Sequence, residues 1–592
     1  MQGSKFTTKI LFLVICSTGL MFAQGTRATE GIPITDPLTI AKCGGCHTQD
    51  PQTKMMRRLS YERTTPEVWE QNIKRMVRLN GVSLSASDAG QILRYLSDNN
   101  GLAPEEARPI FWEAEHRLFR DQEGEDDQVP APLERTCNYC HEIGRVLGQR
   151  RTMDDYQKLA NMHMGLFPGS ETAVFRPHGG TPLDQPVTEV QNGTFRATLL
   201  YPPAPVKQGS KYPIDIALDY LAKNQPLITP EWSAWNAVMR PPKLAGVWAV
   251  NAYEKGKGRV YGTMTIESGS APDLFTTKIE MRYATSGLTI SRTGKGIVYT
   301  GYSWRGRSAT TAAPRDPSLP PADSREAMFI SRDNNEMTGR WFWGGYQEFG
   351  IDVHLVRVGA QPVVFGTDRY ALKTPSSDEV HIFGANLPAP PKASDIDLGP
   401  GVEVTKVISG SPTEIAVQVS VKPDVPVGMH DVSVAGATAE KTLAVYDKVN
   451  YIKVTPDASF ARLGGTIVAK QYAQFEAIAF ANGPDGKPGT ADDISLGPVS
   501  ANWGLEEFMS TPDDDDVKYV GTINDTGLFT PSGEGPNPKR KKQANNYPTD
   551  NWGDVWVDAS YKPDNEPAFK ARSYLVVTVP TYIHYDQPEV DQ

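Results

Sequence analysis

The residues with the most chemistry to offer are Cys43, Cys46 and His47, followed later by Cys137, Cys140 and His141. They read C-G-G-C-H and C-N-Y-C-H. Two thiols three positions apart with a histidine directly behind them form the attachment pattern of c-type haem. The thiols add across the two vinyl groups of one haem, and the adjacent imidazole ligates the iron. A structural zinc site would need both motifs to share one metal or to recruit further ligands. A C-x-x-C redox pair has no use for the histidine. The sequence therefore predicts two covalently bound haem c groups. The chain has five cysteines. The fifth, Cys16, lies in an apolar N-terminal run that reads as a cleaved leader. On this reading no thiol remains for a disulfide, a nucleophile or a cysteine-derived cofactor.

An internal duplication nominates the sixth iron ligands. Arg63-Thr-Thr-Pro-Glu-Val-Trp69 is followed by Met76, and Arg151-Thr-Met-Asp-Asp-Tyr156 by His163, in each case seven residues past the aromatic. In helical phase Val68, Trp69, Ile73, Met76 and Val77 share one face, as do Tyr156, Leu159, Ala160 and His163. The expected axial pairs are His47/Met76 and His141/His163. Met55 and Met56 are alternatives at the first iron; Met162, Met164 and His178 are alternatives at the second. Met162 and Met164 stand about 100° from the His163 face. A thioether favours reduced iron relative to a second imidazole. The first haem should then have the higher potential, which suits electron flow from the second haem to the first.

These ligands need helices to hold them. Ile92–Asn99 matches Ala217–Asn224, and each octet precedes a Pro-Glu helix start, Pro104-Glu105 and Pro230-Glu231. This gives a dihaem cytochrome c domain over 30–240, with modules 30–123 and 124–240. The acidic stretch 121–129 reads as a solvated linker between them. The second module is longer: Met76 to Tyr95 is 19 residues, His163 to Tyr220 is 57. The extra length includes a strand-like run at 186–201.

From about residue 241 the period changes from helical to alternating. The reading is an antiparallel β-barrel domain over 241–360, a sandwich being the alternative, then Ig-like sandwiches over 361–447 and 448–592. The fold class is thus multidomain: an all-α dihaem domain followed by three all-β domains. Trp341, Phe342 and Trp343 read either as a partner surface or as packing on both barrel faces. In the loop 482–496, Asp485, Asp492 and Asp493 lie between glycines; a polar hairpin turn fits better than calcium, because EF-hand spacing is missing. Asp513–Asp516 and Lys539–Lys542 read as solvated loop faces. His354, His381, His430 and His584 are scattered, and no nucleophile elbow or phosphate loop is visible. No catalytic residue is assigned.

Lys5 and Lys9 precede a 14-residue apolar run at 10–23. That pattern fits a secretory leader over 1–25, cleaved somewhere in 23–28, more closely than a retained anchor. The expectation is a periplasmic chain with no membrane span after processing. The formal net charge is −10 with no broad basic field, which argues against nucleic acid as a partner.

The order of leader, two haem modules and three β-domains resembles the alpha subunit of quinohemoprotein amine dehydrogenase. The resemblance rests on the two C-x-x-C-H motifs, Met-His-Met-Gly-Leu-Phe-Pro (162–168), Tyr-Leu-Ala-Lys (220–223), Asn-Gly-Pro-Asp-Gly-Lys-Pro-Gly-Thr (482–490) and Asp525-Thr-Gly-Leu-Phe-Thr-Pro531. It implies a heterotrimer. A small gamma subunit would carry cysteine tryptophylquinone and oxidise primary amines, and the beta subunit would be a β-propeller. This chain would pass electrons to a soluble cupredoxin or cytochrome c. The resemblance also implies that the second haem sits inward near the quinone and the first faces the acceptor. Other readings are a free-standing dihaem carrier and a dihaem peroxidase; the latter would need an open iron site.

Overall fold

The structure, a computed structural model, describes residues 30–107, 130–134, 136–137, 143–176, 211–310, 323–509, 514–541, 548–564 and 566–580. Cys140, His141, His178, the acidic linker 121–129 and the run 186–201 lie outside the described residues.

The N-terminal helical region is built from helices α1 (Pro37–Cys43), α2 (Pro66–Asn80), α3 (Ala86–Asn99), α4 (Pro104–Ala107), α5 (Ala131–Glu134), α6 (Gly144–Leu147), α7 (Met153–Leu166), α8 (Pro213–Asn224) and α9 (Pro230–Val238). Local chemistry explains their ends. Pro66 opens α2 after an extended Thr65, and Gly81 closes it at φ 69°, donating its N–H to the Met76 carbonyl. Thr152 opens α7 by accepting from the Asp155 N–H at 3.2 Å. Ser85 does the same for α3 through the Asp88 N–H at 3.0 Å.

The region is not wholly helical. Strands β1 (Glu62–Thr64) and β2 (Gln149–Arg151) pair antiparallel, one from each half of the duplication. Arg63 faces Arg150 at the centre, so a local two-fold axis runs between them. Three-residue strands have no readable period, which is why the sequence pattern showed only helices.

The duplication recurs in the contacts. Thr65 and Thr152 cap α2 and α7 at equivalent points, and Met76 and His163 each lie 11 residues beyond their cap. Trp69 Nε1 donates to the Asn100 carbonyl at 3.3 Å. Tyr156 Oη donates to the Gln225 carbonyl at 3.1 Å. Asn100 and Gln225 are the residues that end α3 and α8.

Eight antiparallel strands follow: β3 (Gly246–Glu254), β4 (Gly258–Ser268), β5 (Leu274–Tyr283), β6 (Thr289–Tyr299), β7 (Ser303–Ala309), β8 (Asp323–Ile330), β9 (Glu336–Trp343) and β10 (Phe349–Arg357). Each pairs with the next, and β10 returns to β3, closing a barrel with no free edge. Trp248, Trp304, Met328, Trp341 and Trp343 fill the interior. A Cβ on Gly296 would run into the Trp304 ring, so this glycine makes room for the indole. Phe342 points the other way and packs with Leu102, Ala107 and Tyr302. The Trp-Phe-Trp run therefore packs both barrel faces.

The barrel is fastened to the helices. Ile297 and Tyr299 join Ile34, Met56, Leu59 and Trp69 in one core. Glu67 of α2 forms a buried ion pair with Arg305 of β7. Thr300 donates its N–H to Asp98 at 2.7 Å.

Residues 363–446 form two four-stranded sheets around Val380, Ile382, Ile415, Val417 and Leu443. Residues 451–578 form further sheets over Phe475, Phe529, Val555 and Leu575. The charged runs here are only partly solvated. Arg540 and Asp516 are nearly buried, 2% and 4% exposed, and pair with each other. Attraction across 24 residues of sequence pulls one member of each run inward.

Candidate functional site

One cavity of about 840 Å³ is lined by Cys43, His47 and Met76 from the first module and by Cys137 and His163 from the second. Both candidate haem sites thus open into a single space. Most of its wall is apolar, including Trp69, Ile73, Tyr156, Leu159 and Phe175. The predicted faces of α2 and α7 are the faces that line it, with one exception. Val77 is 40% exposed at the edge of its face, beyond the stripe that α2 buries.

Cys43 ends α1, and Cys46 and His47 follow in the turn closed by the Cys46 and His47 N–H bonds to the Cys43 carbonyl, 3.2 and 2.9 Å. His47 Nδ1 donates to the Arg57 carbonyl at 2.9 Å. A carbonyl can only accept, so Nδ1 holds the proton and Nε2 keeps its lone pair, the form that ligates iron. His163 is oriented in the same way: its Nδ1 donates to the Leu159 carbonyl one turn back, at 2.9 Å. Phe167 and Phe175 flank its ring, with centroids 6.4 and 6.1 Å away.

Burial and the charges of Arg58 and Arg57 push His47 below the ordinary histidine range, against the pull of its carbonyl bond. Neutral imidazole is thereby favoured. Burial, with Asp36, pushes the Cys43 thiol up. Burial pushes the Cys137 thiol up to about 12. Both sulfurs sit where an uncharged thioether is a better occupant than a thiolate.

The rival methionines separate. Met56 is fully buried in the core beneath Trp69 and Ile92, and Met55 Sδ lies beside Gly31. Neither lines the cavity. Met164 packs against the second module's core. Met162 does line the cavity; Arg75 Nη1 approaches its sulfur at 3.6 Å. Helical phase placed Met162 off the His163 face, but the cavity is wide enough to reach it. Met76 Sδ lies 3.7 Å from Asn80 Nδ2.

Polar residues hold the two halves together. Arg63 is fully buried and grips both carboxylate oxygens of Glu106, at 2.6 and 2.7 Å. Arg150 approaches the same carboxylate at 3.5 Å. A second network runs Glu62–Arg151–Asp155–Arg58, its two ends from the first module and its middle pair from the second. Sequence reasoning missed both networks; the only signal was the repeated Arg-Thr beside each helix start.

The donors that line the cavity fit haem: an apolar space, one thiol from each motif, Cys43 and Cys137, and the His47 and His163 imidazoles, whose Nδ1 atoms are already committed; Cys46 is exposed beside it. No helix among the described residues is long and apolar enough to cross a membrane. The metal-like carboxylate group Glu507, Asp514 and Asp516 is crossed by the Arg540–Asp516 pair. In the loop 482–496 the carboxylates are taken by the loop itself. Asp493 accepts from the N–H groups of Gly483, Gly489 and Thr490 at 3.1, 2.6 and 2.9 Å, and from Tyr451 Oη at 2.6 Å.

Four family models match, all from quinohemoprotein amine dehydrogenase: alpha subunit haem binding at 34–177, domain II at 241–358, domain III at 362–447 and domain IV at 452–590. The chain belongs to the quinohemoprotein amine dehydrogenase alpha subunit family. The haem-binding match of that family spans both C-x-x-C-H motifs, Met76 and His163. No curated protein matches the chain. Among solved structures, a redesigned beta barrel, mFAP1, bound to DFHBI is 16% identical, covering 19% of this chain and 94% of its own, with a TM-score of 0.16. Mouse Cadherin-23 EC22-24 is 11% identical over 58% of this chain and 89% of its own, at 0.14. The Bacteroides ovatus mixed-linkage glucan protein SGBP-B is 12% identical over 60% and 68%, at 0.17. At such TM-scores these likenesses carry no argument.

Proposed function

We propose that this chain is the dihaem electron-transfer subunit of a periplasmic quinohemoprotein amine dehydrogenase. The observation that carries the proposal is the single cavity lined by ligand residues of both modules. Cys43 and Cys46 would hold one haem and Cys137 and Cys140 the other, with His47 and His141 as proximal ligands and Met76 and His163 opposite. Haem bound there supplies one-electron redox chemistry at each iron. The chain's own part is to bind, orient and desolvate. The Arg57 and Leu159 carbonyls fix the His47 and His163 rings, and the apolar walls keep water from the irons.

In this reading electrons come from cysteine tryptophylquinone on a small gamma subunit, formed into a complex with a β-propeller beta subunit. They leave to a soluble cupredoxin or cytochrome c. The amine-oxidising site would lie on the gamma subunit, because every thiol of the processed chain has a role at haem. The leader over 1–25, the periplasmic address and the Ig-like character of 361–447 and 448–592 belong to the same proposal.

The test is an optical titration of the native complex with a primary amine. Reduction of both haems is expected. A complex that deaminates amines while its haems stay oxidised would overturn the assignment. Co-purification of this chain alone, with no amine-dependent reduction, would favour a free-standing dihaem carrier.

A further inference from the structure

Arg58 and Arg145 occupy equivalent positions in the duplication. Each stands five residues before a central strand arginine, Arg63 or Arg150, and those two face each other across the β1–β2 pair. Both line the cavity. Each also crosses to the other module: Arg58 Nη1 meets Asp155 of α7 at 2.9 Å, and Arg145 Nη1 donates to Gln71 of α2.

The backbone at Arg58 is strained. Its φ is 69° and ψ −56°, a region that non-glycine residues rarely adopt. The strain sits between two functional contacts. The preceding Arg57 carbonyl accepts from His47 Nδ1, while the Arg58 side chain turns to the cavity wall. One bend in the chain thus serves the proximal histidine and brings in a guanidinium. Arg151, which lines the same cavity, is held between Glu62 and Asp155.

Haem brings two carboxylates with it. A carboxylate placed in a mostly apolar cavity needs a cation and hydrogen-bond donors. Arginine supplies five donors in a planar fork that matches a carboxylate. We propose that Arg58 and Arg145 are the propionate-binding residues of the first and second haem, and that by crossing modules they fix each haem to the opposite half. The inference rests on the dihaem reading above.

The test uses the full chain in its native complex, with Arg58→Gln, Arg58→Lys, Arg145→Gln and Arg145→Lys. Haem stoichiometry, spectropotentiometry and the propionate-bending bands of the resonance Raman spectrum are measured. Two haems per chain are expected throughout. Each glutamine variant should shift the reduction equilibrium of its own haem about tenfold towards the oxidised form, about 59 mV for one electron. Lysine should restore most of that shift, because the charge returns, but should not restore the Raman band, because the fork does not. Should a glutamine variant fail to fold, the Raman band of the lysine variant decides. Unchanged propionate bands in the variants, with two haems present, would overturn the inference alone. Fewer than two covalent haems in the wild type would overturn the dihaem reading and the inference with it.

Discussion

Replacing Arg63 with alanine tests whether the two modules are held by a buried charge pair. Arg63 has no exposed surface, and Glu106 is 8% exposed. Truncation would leave the Glu106 carboxylate with Arg150, 3.5 Å away, as its remaining cation. It would also strip a donor from the Leu227 and Gly101 carbonyls, now bonded at 2.5 and 3.2 Å. Removing one partner of a buried pair costs about 3–5 kcal/mol, and the orphaned carbonyls push towards the upper end. With a guanidinium slope of about 4 kcal/mol per molar, the unfolding midpoint should fall by roughly 1 M. The assay is a guanidinium titration of the haem-loaded chain followed at the Soret band, which reports the haem region and not the barrel. The triple variant Arg63→Met/Glu106→Leu/Arg150→Met should recover much of the loss, because it removes both arginines along with the carboxylate they share. A triple variant as unstable as Arg63→Ala would refute the reasoning and show that shape, not charge, is the cause. Acid gives a second check. Burial raises the Glu106 carboxyl, but Arg63, the Ala103 N–H and Arg150 outweigh it and hold it below its ordinary value. Its contribution is therefore present above the unfolded pKa and is lost as the pH falls through the lower folded pKa. The gap between wild type and Glu106→Gln should narrow in that window.

Met76→His should lower the potential of the first haem and leave the second unchanged in spectropotentiometry; an unchanged first haem would point to another ligand. Burial, against the Thr300 N–H bond, raises the Asp98 carboxyl to about 6. A raised carboxyl favours the fold below the unfolded pKa and loses that advantage as pH rises through 6. Asp98→Asn, whose oxygen can still accept from Thr300, should therefore stabilise the chain by roughly 2–3 kcal/mol at pH 7 and not at pH 4, read by thermal melts. Chelation should leave the melting temperature unchanged if the 482–496 loop is held by its own N–H groups. Asp493→Ala should lower it, because the Gly483, Gly489 and Thr490 N–H groups lose their shared acceptor.

The parts of the site that follow a short period were legible. The seven-residue step from Trp69 to Met76 and from Tyr156 to His163 is two helical turns, and both ends of each step line the cavity. The alternation in Trp341-Phe342-Trp343 became two barrel faces because strand side chains alternate. What escaped the sequence is held by long-range pairing. Glu67 and Arg305 are 238 residues apart, and nothing local marks either as buried. The β1–β2 pair escaped because its strands are too short to show a pattern. The sign of the charged runs was visible, but not which member turns inward, since Arg540 finds Asp516 only once the strands are in place.

The β1–β2 pair makes the two haem modules inseparable in a particular sense. Each module donates one strand, and the cavity's two ligand helices, α2 and α7, spring directly from those strands. In the proposed dihaem reading, the spacing between the two iron sites would therefore be set by the backbone hydrogen bonds of this pair, not by the ligand side chains. A duplicated gene with this geometry can exchange methionine for histidine at one site, and so retune one potential, while the distance an electron must cross stays as it was.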